Sequence, residues 1–410
     1  MLAFCFDKIC LRLDTKRLVF GVFESNKIRT GETMAILWRV LVWSLRALYE
    51  GRWPATDFRG QPWEAGSAEA ALAGTQLAGG YYGVVFLLKG DWEHFSKTFG
   101  YPRHNSNAPC WLCRCEKGEQ SDQRDWPTNF SRTARWKSAL VSPAEWRAEN
   151  AATMHQLFRE FAFLSNANIE VDELHCIHLG TSTYFLGSVL YKLVFEMLPG
   201  TPLANMEIVW SEICQEYARQ GIEAQYNSLG LGSFCNVQAP SSAYPCLKGR
   251  AAEVKWLVPA LAAIWQRLQR PENATDRLVG ELLEGQLAIQ GLLDEDAADF
   301  QMDAESAKEL VKLVDKWLAN YCRVAHKSTA RGELLFSVVP KHHALWHFAR
   351  KAWNLHPRRG ACYADEDFMG TCKQLVKGCV NALPLHKVPL AVLRKYRWGM
   401  VAQYLRSEQP

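Results

Sequence analysis

The stretch that most constrains the fold is Gly80–Lys89, GYYGVVFLLK. It is β-branched and aromatic with no polar alternation, the pattern of a strand buried on both faces. Strands of that kind belong to sheets covered by helices, so the stretch predicts an α/β fold. Asp91 falls just past its end, where functional side chains collect in such sheets. Arg17–Phe23 reads as a short strand, Thr30–Gly51 as an amphipathic helix closed by Gly51, and Asn168–Ile177 as a second candidate strand. Asn150–Leu164 and Thr183–Leu198 read as helices. From about 199 to 332 the pattern is almost wholly helical. There, Ser306 and Glu309 make a capping box, and Leu310, Leu313, Val314, Trp317, Leu318 and Tyr321 form an apolar face. The expected organisation has a first core part over 1–198, with a Cys-rich loop at 105–116. An all-helical insertion over 199–332 follows, then a core return over 333–410 that ends in a basic helix, Leu390–Leu405.

Composition narrows the function classes. At 410 residues, 48% hydrophobic and 22% charged, the chain is globular rather than disordered, and long enough for two or three domains. Its +4 net charge decides little, but the distribution says more. From Lys341 to the end, 12 Lys/Arg stand against 4 Asp/Glu. Such a basic segment fits DNA as partner, through Lys341, Arg350, Lys351, Arg358, Arg359, Arg394, Lys395 and Arg397, although a solvated surface accounts for it as well. Asp7 and Lys8 break the N-terminal apolar run, so no secretory signal is expected. No window of about 18 residues is free of charge, so no membrane span is expected either. Thirteen cysteines then read as reduced thiols in a nuclear or cytoplasmic protein. Assembly into a homo-oligomer stays open.

Three groups of residues carry chemistry. Asp91, Asp172 and Glu366 lie in separate segments. Brought together, such acids hold two divalent cations, Mg²⁺ or Mn²⁺, for phosphoryl transfer. The plainer reading makes them turn or helix-cap residues. Cys110-x2-Cys113-x-Cys115 has zinc-ligand spacing, with His104, His175 and His178 as further donors; a metal-free thiol loop or a redox disulfide is the alternative. His342, His343 and His347 place imidazoles beside Lys341. There they are either structural or poised to stabilise charge at a phosphate. No Walker, G-x-G-x-x-G or G-x-S-x-G pattern occurs.

Taken in order, these motifs resemble the cut-and-paste DDE transposases, above all the CACTA, hAT and Kyakuja–Dileera–Zisupton relatives. Gly90-Asp91 followed by Cys110 and Cys113 resembles the second catalytic aspartate and its cysteine pair. Asp172-x-x-His175 with Leu179-Gly180 is similar to the D-x-x-H motif, and PKHHALWH followed by DEDFMG to the closing glutamate segment. The resemblance implies an α/β RNase H-like core interrupted by a large all-helical insertion. It implies DNA cleavage and strand transfer with two Mg²⁺ or Mn²⁺ ions. Asp91 and Glu366 would hold the metals, Asp172 would be metal-linked or structural, and His175, His343 and His347 would support them. Zinc on the cysteine loop would brace the site. Only 16 residues precede Arg17, and Asp7 alone lies near the place of the family's first aspartate. That departure implies a truncated or domesticated copy. The alternatives are a catalytically dead DNA-binding relic and a zinc-stabilised helical interaction protein.

Overall fold

The computed structural model describes residues 2–5, 17–21, 28–29, 31–118, 121–295, 297 and 299–407. Its α-helices are α1 (Glu32–Glu50), α2 (Ala68–Leu72), α3 (Trp92–Phe99), α4 (Pro143–Asn150), α5 (Gln156–Glu160), α6 (Ser182–Lys192) and α7 (Pro202–Gln220). They continue with α8 (Ala251–Leu268), α9 (Ala274–Asp294), α10 (Ala304–Ala330), α11 (Pro340–Lys351), α12 (Tyr363–Val380) and α13 (Val388–Ser407). Strands β1 (Leu2–Cys5) and β2 (Arg17–Gly21) pair antiparallel, and this ribbon is the one sheet among the described residues. Asp7 lies outside them.

The fold is therefore helical, and the expected α/β RNase H-like core is not present. Its two defining strands fail for separate reasons. Gly80–Lys89 forms no strand, and Tyr81, Tyr82, Val84 and Phe86 are 79, 71, 59 and 52% exposed, so it is not buried on both faces. A lone parallel bridge joins Leu88 to Ile169. At Asn168–Ile177 a helix start wins over the strand. The Asp172 carboxylate accepts the backbone N–H groups of Leu174 and His175, and a π-helical segment, Leu174–Thr181, begins there. Two short helices replace the single one expected over Asn150–Leu164. The first, α4, starts earlier because Ser142 and Glu145 form a reciprocal capping box with Pro143 at its first position.

The chain divides into two compact units. The first comprises Met1–Val85, Arg159–Phe161 and Tyr363–Pro410. In it, α1 buries Trp38, Leu41, Val42 and Ala47, and ends as its sequence predicts at Gly51, whose φ of +66° is the left-handed turn glycine allows. Helices α12 and α13 pack through Cys372 on Tyr396 and Cys379 on Val388 and Val392.

The second unit comprises Phe86–Phe158 and Ala162–Cys362. Its centre is α6, buried almost all round through Phe185, Leu186, Val189 and Leu190. A helix apolar on every side needs neighbours on every side. Gly187 meets this crowding by letting the Pro245–Cys246 backbone lie against the helix. Helix α8 packs against it, α9 reaches it through Gln286 on Ser182, and α10 through Trp317 and Tyr321 on Phe185. Leu310, Val314, Trp317, Leu318 and Tyr321 form the buried face of α10 as expected, but Asp303 rather than Ser306 caps it, accepting from the N–H groups of Glu305 and Ser306. Among the described residues, no helix is long and apolar enough to cross a membrane.

Candidate metal centre

Two segments far apart in sequence build the centre. The first is the cysteine loop. Asp91 caps α3, accepting the His94 N–H at 2.6 Å, and Gly100 ends that helix in a left-handed turn. The chain then reaches Pro109 and Cys110. The loop is clamped from both sides. Arg114 N donates to Ala139 O at 2.9 Å, and Val141 N donates to Leu112 O at 3.0 Å. The buried Asn166 amide donates to the carbonyls of Trp111 and Val141, each at 3.0 Å. This bracing turns the Cys110, Cys113 and Cys115 sulfurs toward one point.

The second segment is α11. His343 and His347 are four residues apart, so they share one helix face. Both are buried, and Trp136 covers them, its ring centroid 4.2 Å from that of His343. His343 donates Nδ1–H to Pro127 O at 3.1 Å, which leaves its Nε2 lone pair toward the cysteines. That Nε2 lies 3.2 Å from Cys113 Sγ and 3.2 Å from His347 Nε2, while His347 Nε2 lies 3.4 Å from Cys110 Sγ. The donor atoms of Cys110, Cys113, Cys115 and His343 all lie within 4.8 Å of one another. A tetrahedral zinc, with sulfur at about 2.3 Å and nitrogen at about 2.0–2.1 Å, spaces its ligand atoms about 3.3–3.8 Å apart. The soft donor set and these spacings suit a metal ion.

The thiols already share charge. Burial opposes ionisation of Cys110. Hydrogen bonds with Cys113 and Cys115 and the adjacent His347 imidazole outweigh it, and hold the Cys110 pKa well below the usual thiol value. Cys113 and Cys115 are pushed up, foremost by their hydrogen bonds to Cys110. A divalent cation in their midst would deprotonate all of its thiol ligands.

The remaining predicted residues lie elsewhere. His175 pairs with Asp172. His178 is fully buried, takes a 3.4 Å hydrogen bond from the Gln290 amide, and is driven by burial to a pKa of about 3. Neither belongs to the cysteine cluster, and His104 instead stands edge-on to Trp92. His342 caps its own helix start and packs against Trp317 and Tyr321. Beyond its two backbone contacts at the helix start, the Asp172 carboxylate accepts the Cys362 N–H at 2.8 Å. Asp91 and Asp172 thus act as caps, the plainer of their two readings. Burial lowers the Lys341 pKa against the pull of nearby groups that include both aspartates, and its ammonium donates to Leu179 O at 2.7 Å. Glu366 lies on α12 in the first unit.

Several predicted DNA contacts are spent inside the protein. Arg350 pairs with Asp315 at 2.8 Å, Lys351 with Glu170 at 3.0 Å, and Arg358 with Asp294 and Glu173. Arg359 donates to Asp299 O at 2.9 Å. Arg394, Lys395 and Arg397 stand exposed on α13.

The residues that sequence reasoning placed in a supporting role, His343 and His347, are the ones that meet the cysteines. The signal was present as Cys110-x2-Cys113 paired with His343-x3-His347, a two-cysteine, two-histidine spacing with its halves 230 residues apart. Compared with known proteins, the chain matches no family model, no curated protein and no solved structure.

Proposed function

We propose that the protein is a zinc-stapled helical binding protein in which the metal ties the cysteine loop to α11. The ligands in this reading are Cys110, Cys113, His343 and His347, with Cys115 as a spare thiol beside them. One observation carries it: two thiols and two imidazoles meet at 3.2–3.4 Å spacings, from loci 230 residues apart. Zinc bound there acts structurally. It turns a long-range approach into a bond that the unfolded chain cannot make, so the binding energy becomes folding energy. Elemental analysis of protein purified without chelator tests this. About one zinc per chain is expected, and a metal-free, folded protein would remove the reading.

A second reading, a transposon-derived DNA-binding protein, draws on a different observation, the exposed cations of α13. Each phosphate contact adds about 0.9 to the slope of log affinity against log salt. Replacing Arg394, Lys395 and Arg397 together by Ala should then lower that slope by about 2–3 in a duplex-binding titration. Affinity independent of salt, or no binding at all, would leave the first reading alone.

A further inference from the structure

The staple holds more donors than one tetrahedral ion takes. Cys110 is partly exposed, whereas Cys113 and Cys115 are 3% and 1% exposed. All three line a cavity of about 360 Å³, whose other walls include Tyr101, Trp111 and Trp146. The cavity is large enough to admit a small oxidant. Behind Cys110, the Cys115 sulfur lies within 4.8 Å. No disulfide joins these cysteines. A partly exposed cysteine with a second cysteine sulfur within 4.8 Å of its own is the arrangement of a reactive and a resolving cysteine.

We propose that Cys110 is a hydroperoxide-reactive site, that Cys115 resolves it, and that the disulfide so formed releases the metal. This rests on the zinc reading above. The Cys110 sulfur attacks one oxygen of hydrogen peroxide, the O–O bond breaks, and hydroxide leaves, giving the sulfenic acid. The Cys115 thiol then attacks the Cys110 sulfur, the S–O bond breaks, and water leaves. Two cysteine sulfurs lose two electrons between them, and one peroxide gains both. The disulfide sulfur of Cys110 is no longer a thiolate donor, so the ion keeps only Cys113, His343 and His347. The link between the cysteine loop and α11 loosens. Reduction by a dithiol in the presence of zinc restores it.

The test uses the full chain loaded with zinc. Stoichiometric hydrogen peroxide is added, free zinc is read with a chromogenic chelator, and cross-links are mapped by peptide mass spectrometry. About one zinc per chain should be released together with a Cys110–Cys115 cross-link. Dithiothreitol and zinc should reverse both. Cys115→Ser should still bind zinc, should accumulate a Cys110 sulfenic acid trapped by a cyclic diketone, and should release zinc at least tenfold more slowly. Zinc retained while the exposed Cys214 is oxidised, or a cross-link elsewhere, overturns the proposal. So does equal release from wild type and Cys115→Ser. If the variant does not fold, the wild-type release and cross-link decide alone. Protein that carries no zinc before peroxide is added overturns the staple itself, an outcome distinct from a staple that survives oxidation.

Discussion

At the scale of single residues, the question is which histidines do what. His175 and His178 sit in a motif dense with metal-capable groups, yet one is tied to a carboxylate and the other is buried against an amide. His343 and His347 look ordinary in sequence and carry the donor atoms. His343→Ala should lower zinc affinity by more than the 10–100-fold typical of losing a group that only orients a ligand. His175→Ala should leave zinc content at wild-type stoichiometry; equal loss in both variants would misplace the centre. Glu173 is a second residue with a measurable signature. It is 1% exposed and faces Arg358, Lys255, Asp294 and Asp172; burial foremost raises its pKa to about 7. A carboxyl with a raised folded pKa favours the folded state while neutral. Its contribution is therefore complete below about pH 4.5 and is lost as pH climbs through about 7. Glu173→Gln should flatten that decline and stabilise the protein at pH 8 by up to about 3 kcal/mol, read from urea unfolding at several pH values. A parallel pH dependence in wild type and variant would show that Glu173 does not titrate there.

At the scale of elements, the expectations that held are those with a local cause. Helix α1 stops at Gly51 because glycine accepts the left-handed turn, and α10 buries the face its 3.6-residue spacing lays out. One of the expectations that failed depended on a partner. An apolar run such as Gly80–Lys89 becomes a buried strand only if neighbouring strands satisfy both of its edges, and here a single bridge does so. The start of the Leu174–Thr181 segment was decided by Asp172, whose carboxylate caps N–H groups that a strand would have left in a ladder. Close packing of elements gives its own prediction. A Cβ at position 187 would lie 2.9–3.0 Å from the Pro245 and Cys246 backbone. Gly187→Ala should therefore destabilise the protein by about 1–3 kcal/mol in denaturant titration. A loss below about 0.5 kcal/mol, the usual range for surface changes, would mean that α6 does not pack so tightly there.

At the scale of the whole molecule, the candidate metal centre brings the cysteine loop to a helix near the far end of its unit. Structural zinc contributes on the order of 10 kcal/mol to small metal-folded peptides, and a larger helical unit draws only part of that. Removing zinc with a chelator should lower the thermal midpoint of the transition that contains the second unit by about 10 °C or more, recoverable on adding zinc back. An unchanged midpoint after verified metal removal would deny the staple its structural role. What the sequence determined by itself was what neighbouring residues decide: helix periodicity, stop signals, the helical character of much of 199–332 (though not of 221–250), and a cysteine pair with metal spacing. Only the tertiary structure decided which histidines reach those cysteines, that Asp172 also takes the distant Cys362 N–H, and that the apolar run at Gly80–Lys89 joins no sheet among the described residues. Those outcomes turn on contacts between residues far apart in the chain. Local spacing carries no information about which distant segment returns to complete a site.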